Sequence, residues 1–254
     1  MPRPKKVLTA AIPEGEMVEQ QKITASRTGL ATIPGVQTNI VSTLLIGTVP
    51  LIVHNFSEKL RKQILAKHMG EASRGRERKD PEANFNAARH RLANGEDGFP
   101  AGGIKAAIVG GFGRDVGVFL KTAKGAIRVA ADCPATNLVR IIAPEGQPTM
   151  REDPCKNETG VVDIRHRPQY WPWAIHLRVE HVPEMLSELQ VLQAIARAGF
   201  TCGLGEWRPS SPKSYSGSFG TWRLAEPDEI DLYESGRLFD QQLPSRRRRA
   251  LERA

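Results

Sequence analysis

The sequence predicts an α+β fold, and three observations carry that expectation. Residues 38–54 form one apolar, β-branched run of strand length, broken only by Gly47 and Pro50. Residues 173–181 alternate strictly, with Trp173, Ile175, Leu177 and Val179 on one side and Ala174, His176, Arg178 and Glu180 on the other, as a half-buried strand does. Helical patterns fall between the strand signals, and a last strand signal, 218–224, ends the ordered part. Stripped of insertions, the order approximates β-α-β-β-α-β, the ferredoxin-like (RRM-like) split βαβ arrangement, with a β-rich insertion and extended termini.

Length and charge bound the rest. A chain of 254 residues fits one large domain or a core domain with insertions. The net charge of +8 points to an anionic partner, of which nucleic acid is the commonest. Cys133, Cys155 and Cys202 are odd in number and widely spaced, which argues against a disulfide framework and a structural zinc site. No apolar stretch approaches membrane-spanning length, and the first residues lack a signal-peptide core, so a cytoplasmic protein is expected.

Taken in order, residues 1–37 read as an extended arm with one short strand near Gln21–Ala25. The run 38–54 reads as a central strand buried on both faces, and His54 and Asn55 at its end either point into a site or, for His54, sit hydrogen-bonded in the core. Ser57 is a good N-cap for a helix with Phe56, Leu60 and Ile64 on one face, stopped by Gly70. The polar stretch 71–80 is followed by a second helix from Pro81 to about Leu92. Phe99-Pro100 leads into a helix of small residues. Gly102 and Gly103 leave its first turn open to a phosphate, and Lys105 adds charge there; close packing on a sheet explains the small residues equally well. Lys121, Lys124 and Arg128 follow and make the region electropositive.

Residues 125–172 carry short strand signals at 125–131, 138–142 and 161–165 among several prolines and read as the β-rich insertion. After the strand at 173–181, Pro183 opens a helix with Leu186, Leu189, Leu192 and Ile195 as its core stripe, closed by Gly199. The loop that follows holds Gly203, Gly205, Gly217 and Gly220 together with Trp207, Arg208, Lys213 and Tyr215. Cations and aromatics in a glycine-rich loop suit a phosphate backbone and unstacked bases. Residues 225–254 read as a tail or short exposed helix, acidic at first and ending in Arg246–Arg249.

Three of these stretches resemble the RAMP superfamily, in particular the RNA-coating backbone subunits of CRISPR effector complexes. They are the turn Val53-His54-Asn55, the run from Gly98 to Ala107 with its proline, small residues and Lys105, and the loop from Gly203 to Gly220. The resemblance spans roughly residues 38–224. It implies that Lys105 and the turn before it touch RNA phosphates, that the 203–220 loop follows the same groove, and that the 125–172 insertion is a thumb-like element reaching the next subunit. Some family members cut target RNA with an acid near the first helix. Glu58 is the nearest one here, and its place at a helix start accounts for it, so no catalytic residue is carried over.

The expected function is a non-enzymatic, single-stranded nucleic-acid-binding protein that oligomerises along the strand, with RNA favoured over DNA. The binding set is His54, Asn55, Gly102, Gly103, Lys105, Lys121, Lys124, Arg128, Trp207, Arg208, Lys213 and Tyr215, acting by charge neutralisation and stacking. No cofactor or metal is expected. Other classes stay open: a mobile-element or phage protein that binds or anneals single-stranded DNA, a structural assembly protein, and a metal-dependent nuclease built on His54, Glu58, Asp97 or Asp115.

Overall fold

The computed structural model describes residues 24–25, 31–32, 35–56, 58–70, 79–112, 118–156, 162–212 and 216–240. Contacts separate residues 1–37 from residues 38–254. In the first unit, β1 (Thr24–Ala25) pairs with β2 (Ala31–Thr32), so the expected strand near Gln21–Ala25 appears at the end of that stretch.

The second unit mixes helices with antiparallel sheets. It begins with β3 (Asn39–Gly47) and β4 (Leu51–Ile52), then α1 (Glu58–His68), α2 (Pro81–Ala87), β5 (Gly98–Pro100), α3 (Ala101–Gly111) and α4 (Leu120–Ala126). There follow β6 (Ile127–Val129), β7 (Leu138–Arg140), β8 (Thr149–Lys156), β9 (Val162–Tyr170) and β10 (Ala174–His181), and finally α5 (Glu188–Thr201), β11 (Trp222–Leu224) and α6 (Pro227–Glu234). The main sheet has the order β11-β3-β10-β6, with every neighbouring pair antiparallel. A three-stranded sheet, β4-β9-β8, and a strand pair, β5-β7, are built from the chain between β3 and β10.

The core lies on one face of the main sheet. Val41 and Leu45 of β3 and Ile175, Leu177 and Val179 of β10 face Ile104 and Ile108 of α3 and Val191, Ala194 and Ile195 of α5. Burial of such aliphatic side chains is the main force holding helices to sheet. The two helices approach closely because Gly111 has no side chain: a Cβ there would stand 2.2 Å from the Ala194 carbonyl oxygen. On the opposite sheet face, His176 meets the ring of Tyr233 from α6 at 5.5 Å, and the same histidine shares a 2.9 Å hydrogen bond with Ser42.

Several expectations need correction. The first strand breaks after Gly47, and Ile40 and Ser42 on it are exposed, so it is central but not buried on both faces. Phe56 and Ile64 stay exposed rather than anchoring α1. The second helix ends at Ala87, and Leu92 lies in the following turn. Pro183 opens a turn, whereas α5 starts five residues later, where Ser187 and Gln190 form a capping box. The buried stripe of α5 is accordingly Val191, Ala194, Ile195 and Ala198, with Leu189 exposed. The helix runs past Gly199 to Thr201. The final strand is only Trp222–Leu224, and β6, expected within the insertion, is an edge strand of the main sheet.

Candidate nucleic-acid interface

A cleft of about 350 Å³ opens where the chain leaves β4 and where α3 begins. Its walls come from three segments far apart in sequence: Val53 and His54, the stretch from Phe99 to Gly110, and the stretch from Cys202 to Ser210. His90, from the segment after α2, completes it. A larger, open hollow of about 570 Å³ lies between residues 140–145 and the α6 region, and none of the residues selected from the sequence lines it. The smaller cleft therefore deserves the chemical reading.

One wall is a helix face. Gly103, Ala106, Ala107 and Gly110 recur at helical spacing and present backbone and methyl groups to the cleft. The facing wall is the first part of the glycine-rich loop, stitched to the β3–β4 region by backbone hydrogen bonds. Glu206 N–H donates to the Ile52 carbonyl at 2.8 Å, and Gly220 N–H donates to the Pro50 carbonyl at 2.9 Å. Gly205 takes φ of 73°, and a Cβ on it would stand 2.1 Å from the Ile52 carbonyl oxygen, so this crossing requires glycine.

The loop's charged and aromatic residues are braced from below. Arg208 donates to the Gly205 carbonyl at 2.9 Å and to Ser210 Oγ at 3.1 Å. Trp207 holds φ of 52°, in the left-handed region, with its ring 5.9 Å from that of Phe219. The guanidinium of Arg167 sits 4.4 Å above the Trp207 ring. Arg167 is itself only 1% exposed. It donates to Asp153 at 2.7 Å and to Glu206 at 3.3 Å, and Arg151 donates to both oxygens of Asp153 at 2.9 Å. An Arg–Asp–Arg group from β8 and β9, buried at Asp153 and Arg167 and half-buried at Arg151, thus braces the loop, which sequence inspection missed because these residues lie in the insertion.

The turn after β4 is braced similarly. Asn55 N–H donates to the Ala88 carbonyl at 2.8 Å, and its side-chain amide donates to the Arg89 carbonyl at 3.2 Å. Those bonds carry His90 to the cleft beside His54. His54 is exposed, yet the atoms crowding its ring still disfavour the cation and lower its pKa; Glu206 opposes this, and Arg165 and Arg167 reinforce it. Burial also lowers His90, with the neighbouring His54 adding to the effect. No motif marks His90; the Asn55 bonds and the 2.9 Å bond from Gly98 N–H to the His90 carbonyl place it.

Of the expected binding set, His54, Gly103 and Arg208 line the cleft. Gly102 is exposed on the first turn of α3, and Lys105 is half-buried on a different side of that helix from the lining residues. Asn55 is committed to its strut, and Trp207 packs behind the loop. Lys121 and Lys124 are exposed on α4. Arg128 is exposed on β6, in register with Glu180. Lys213 and Tyr215 lie outside the described residues, as does Asp115. Asp97, a candidate acid, is held by Arg89 at 2.9 Å. Cys133, Cys155 and Cys202 are free thiols. Among the described residues no three His, Cys, Asp or Glu side chains are grouped to hold a metal, and no helix is long and apolar enough to cross a membrane.

Compared with family models and with curated proteins, the chain matches none.

Proposed function

We propose that this protein binds single-stranded nucleic acid in the cleft between α3 and the glycine-rich loop, and that copies assemble side by side along the strand. The observation that carries the proposal is the convergence of residues 53–54, 99–110 and 202–210 on one cleft. Each was selected for a different chemical reason: a polar strand end, a helix start without side-chain bulk, and a loop of glycines with cations. Their meeting gives a strand a surface with backbone groups close at hand and a lining cation, Arg208, beside a lining carboxylate, Glu206.

The strand order supports the ferredoxin-like reading. With β3, β6, β10 and β11 as first to fourth strands and α3 and α5 as the crossover helices, the sheet order is 4-1-3-2 and wholly antiparallel. This is also the arrangement that the RAMP resemblance implies, so an RNA-binding backbone subunit of a CRISPR-type ribonucleoprotein is the version we favour. A single-stranded DNA-binding or annealing protein of a mobile element uses the same chemistry; the 2′-hydroxyl is what separates the two.

The test is fluorescence anisotropy of the full chain with labelled oligo-uridine and oligo-thymidine across salt concentrations. Ala106 is exposed on the α3 wall, and Ala106→Glu places a carboxylate in the cleft with little change in helix propensity. Wild type is expected to bind with a log–log salt slope of about −0.7 per phosphate neutralised. Ala106→Glu is expected to weaken binding by about tenfold or more with an unchanged melting temperature. Equal affinity in the two proteins would remove the cleft from the account.

A further inference from the structure

The cleft holds two imidazoles that a charge-neutralising site does not need. His54 and His90 reach it from segments 36 positions apart, brought together by the bonds from Asn55 to the Ala88 and Arg89 carbonyls. Both line the same cavity as Arg208 and the open face of α3. Neutral imidazoles are modest ligands for a phosphate, whereas protonated ones donate from both ring nitrogens and carry charge.

We propose that His54 and His90 together hold one phosphodiester of the bound strand and take up protons as it enters. This rests on the reading of the cleft as a nucleic-acid site and adds to it a residue, His90, and a coupling to pH. Around His54 the charges divide: Glu206 raises its pKa, and Arg165 and Arg167 lower it alongside the larger effect of burial. Toward His54 face Arg165 and Arg167 from β9, Glu206 from the glycine-rich loop, and His90. Arg208 lines the same cleft, and the group that acts on His90 is His54. Burial lowers both rings, with Arg165 and Arg167 adding to the effect on His54 and His54 to that on His90, so both are mostly neutral near pH 7. A phosphate between them replaces lost hydration with a negative charge and reverses the balance. Occupancy and protonation therefore favour each other, and the coupling is reciprocal.

Isothermal titration calorimetry with oligo-uridine or oligo-thymidine tests this, since neither base titrates between pH 5.5 and 7.5. Repeating the titration in buffers of different ionisation enthalpy counts the protons taken up. The full-length wild type is expected to take up about one proton or more per occupied cleft, and one proton corresponds to about tenfold tighter binding per pH unit lowered. His90→Gln is expected to bind more weakly at pH 6 and to lose most of that uptake. His90→Arg, with a fixed charge, is expected to retain affinity but lose the pH dependence. Salt-sensitive binding without proton uptake in wild type overturns this inference and leaves the cleft reading standing. Absence of binding to either strand at low salt overturns the cleft reading itself, and this inference with it. The wild-type proton count decides the matter even if a variant fails to fold.

Discussion

Asp153 illustrates what single residues contribute here. It is 6% exposed and accepts hydrogen bonds from both Arg151 and Arg167. Removing it leaves the Arg167 guanidinium, which has almost no access to water, with the longer 3.3 Å bond to the Glu206 carboxylate. Asp153→Ala is therefore expected to cost about 3–5 kcal/mol in urea unfolding, the range for breaking a buried charge pair. It should also release Trp207 and change its fluorescence. The histidines make a second prediction. The unfolded imidazole titrates near 6.5, and both folded rings lie lower. Below pH 6.5 the unfolded chain thus binds more protons than the native one, and stability falls as pH drops through that window. Thermal melts of the free protein from pH 7.5 to 5.5 should show the decline, and His54→Gln with His90→Gln should flatten it. At this scale the sequence was legible where a residue's role is local. His54, Gly103 and Arg208, each picked out from its own short segment, line one cleft. Trp207 was read as a stacking platform, but its ring is engaged by Arg167, forty positions earlier, and nothing near Trp207 announces that partner.

The elements divide in the same way. The strict alternation of 174–181 and the small-residue helix after Phe99-Pro100 were readable because each pattern belongs to one element. The strand β8 was not: it carries Pro154 and four charged residues, a composition that only an edge strand tolerates. The start of α5 was misplaced because Pro183 is a strong first-turn signal, yet the Ser187–Gln190 capping box lies further along and satisfies more backbone groups. Gly111 was seen as one of several small residues, and its contact with α5 emerges only in three dimensions. A methyl group there meets the Ala194 carbonyl, so Gly111→Ala is expected to destabilise by about 1–3 kcal/mol despite its better helix propensity, read by chemical denaturation. At the C-terminal end, Arg223 grips Glu229 with two bonds of 2.6 Å and ties β11 to α6. The pair is partly solvated, so Arg223→Ala is expected to cost about 0.5–1 kcal/mol and to loosen α6 selectively, measurable by hydrogen exchange in residues 227–234.

At the scale of the whole molecule, the turn after β4, the face of α3 and the start of the glycine-rich loop meet at one cleft, and the Glu206–Ile52 and Gly220–Pro50 backbone bonds tie that loop to the β3–β4 region. Each segment's composition is suited to what it meets there. Under the proposed function, the overall positive charge steers a polyanion on approach and the cleft is where it rests. The most direct measurement of this claim is photocrosslinking of the full-length protein to single strands carrying thiouridine or thiothymidine, with the attached peptides identified by mass spectrometry. Crosslinks concentrated in residues 53–55, 90, 99–110 and 202–210 are the result this account requires. Crosslinks confined to the opposite sheet face around Arg128 and His176, or to Arg246–Arg249 alone, would contradict it.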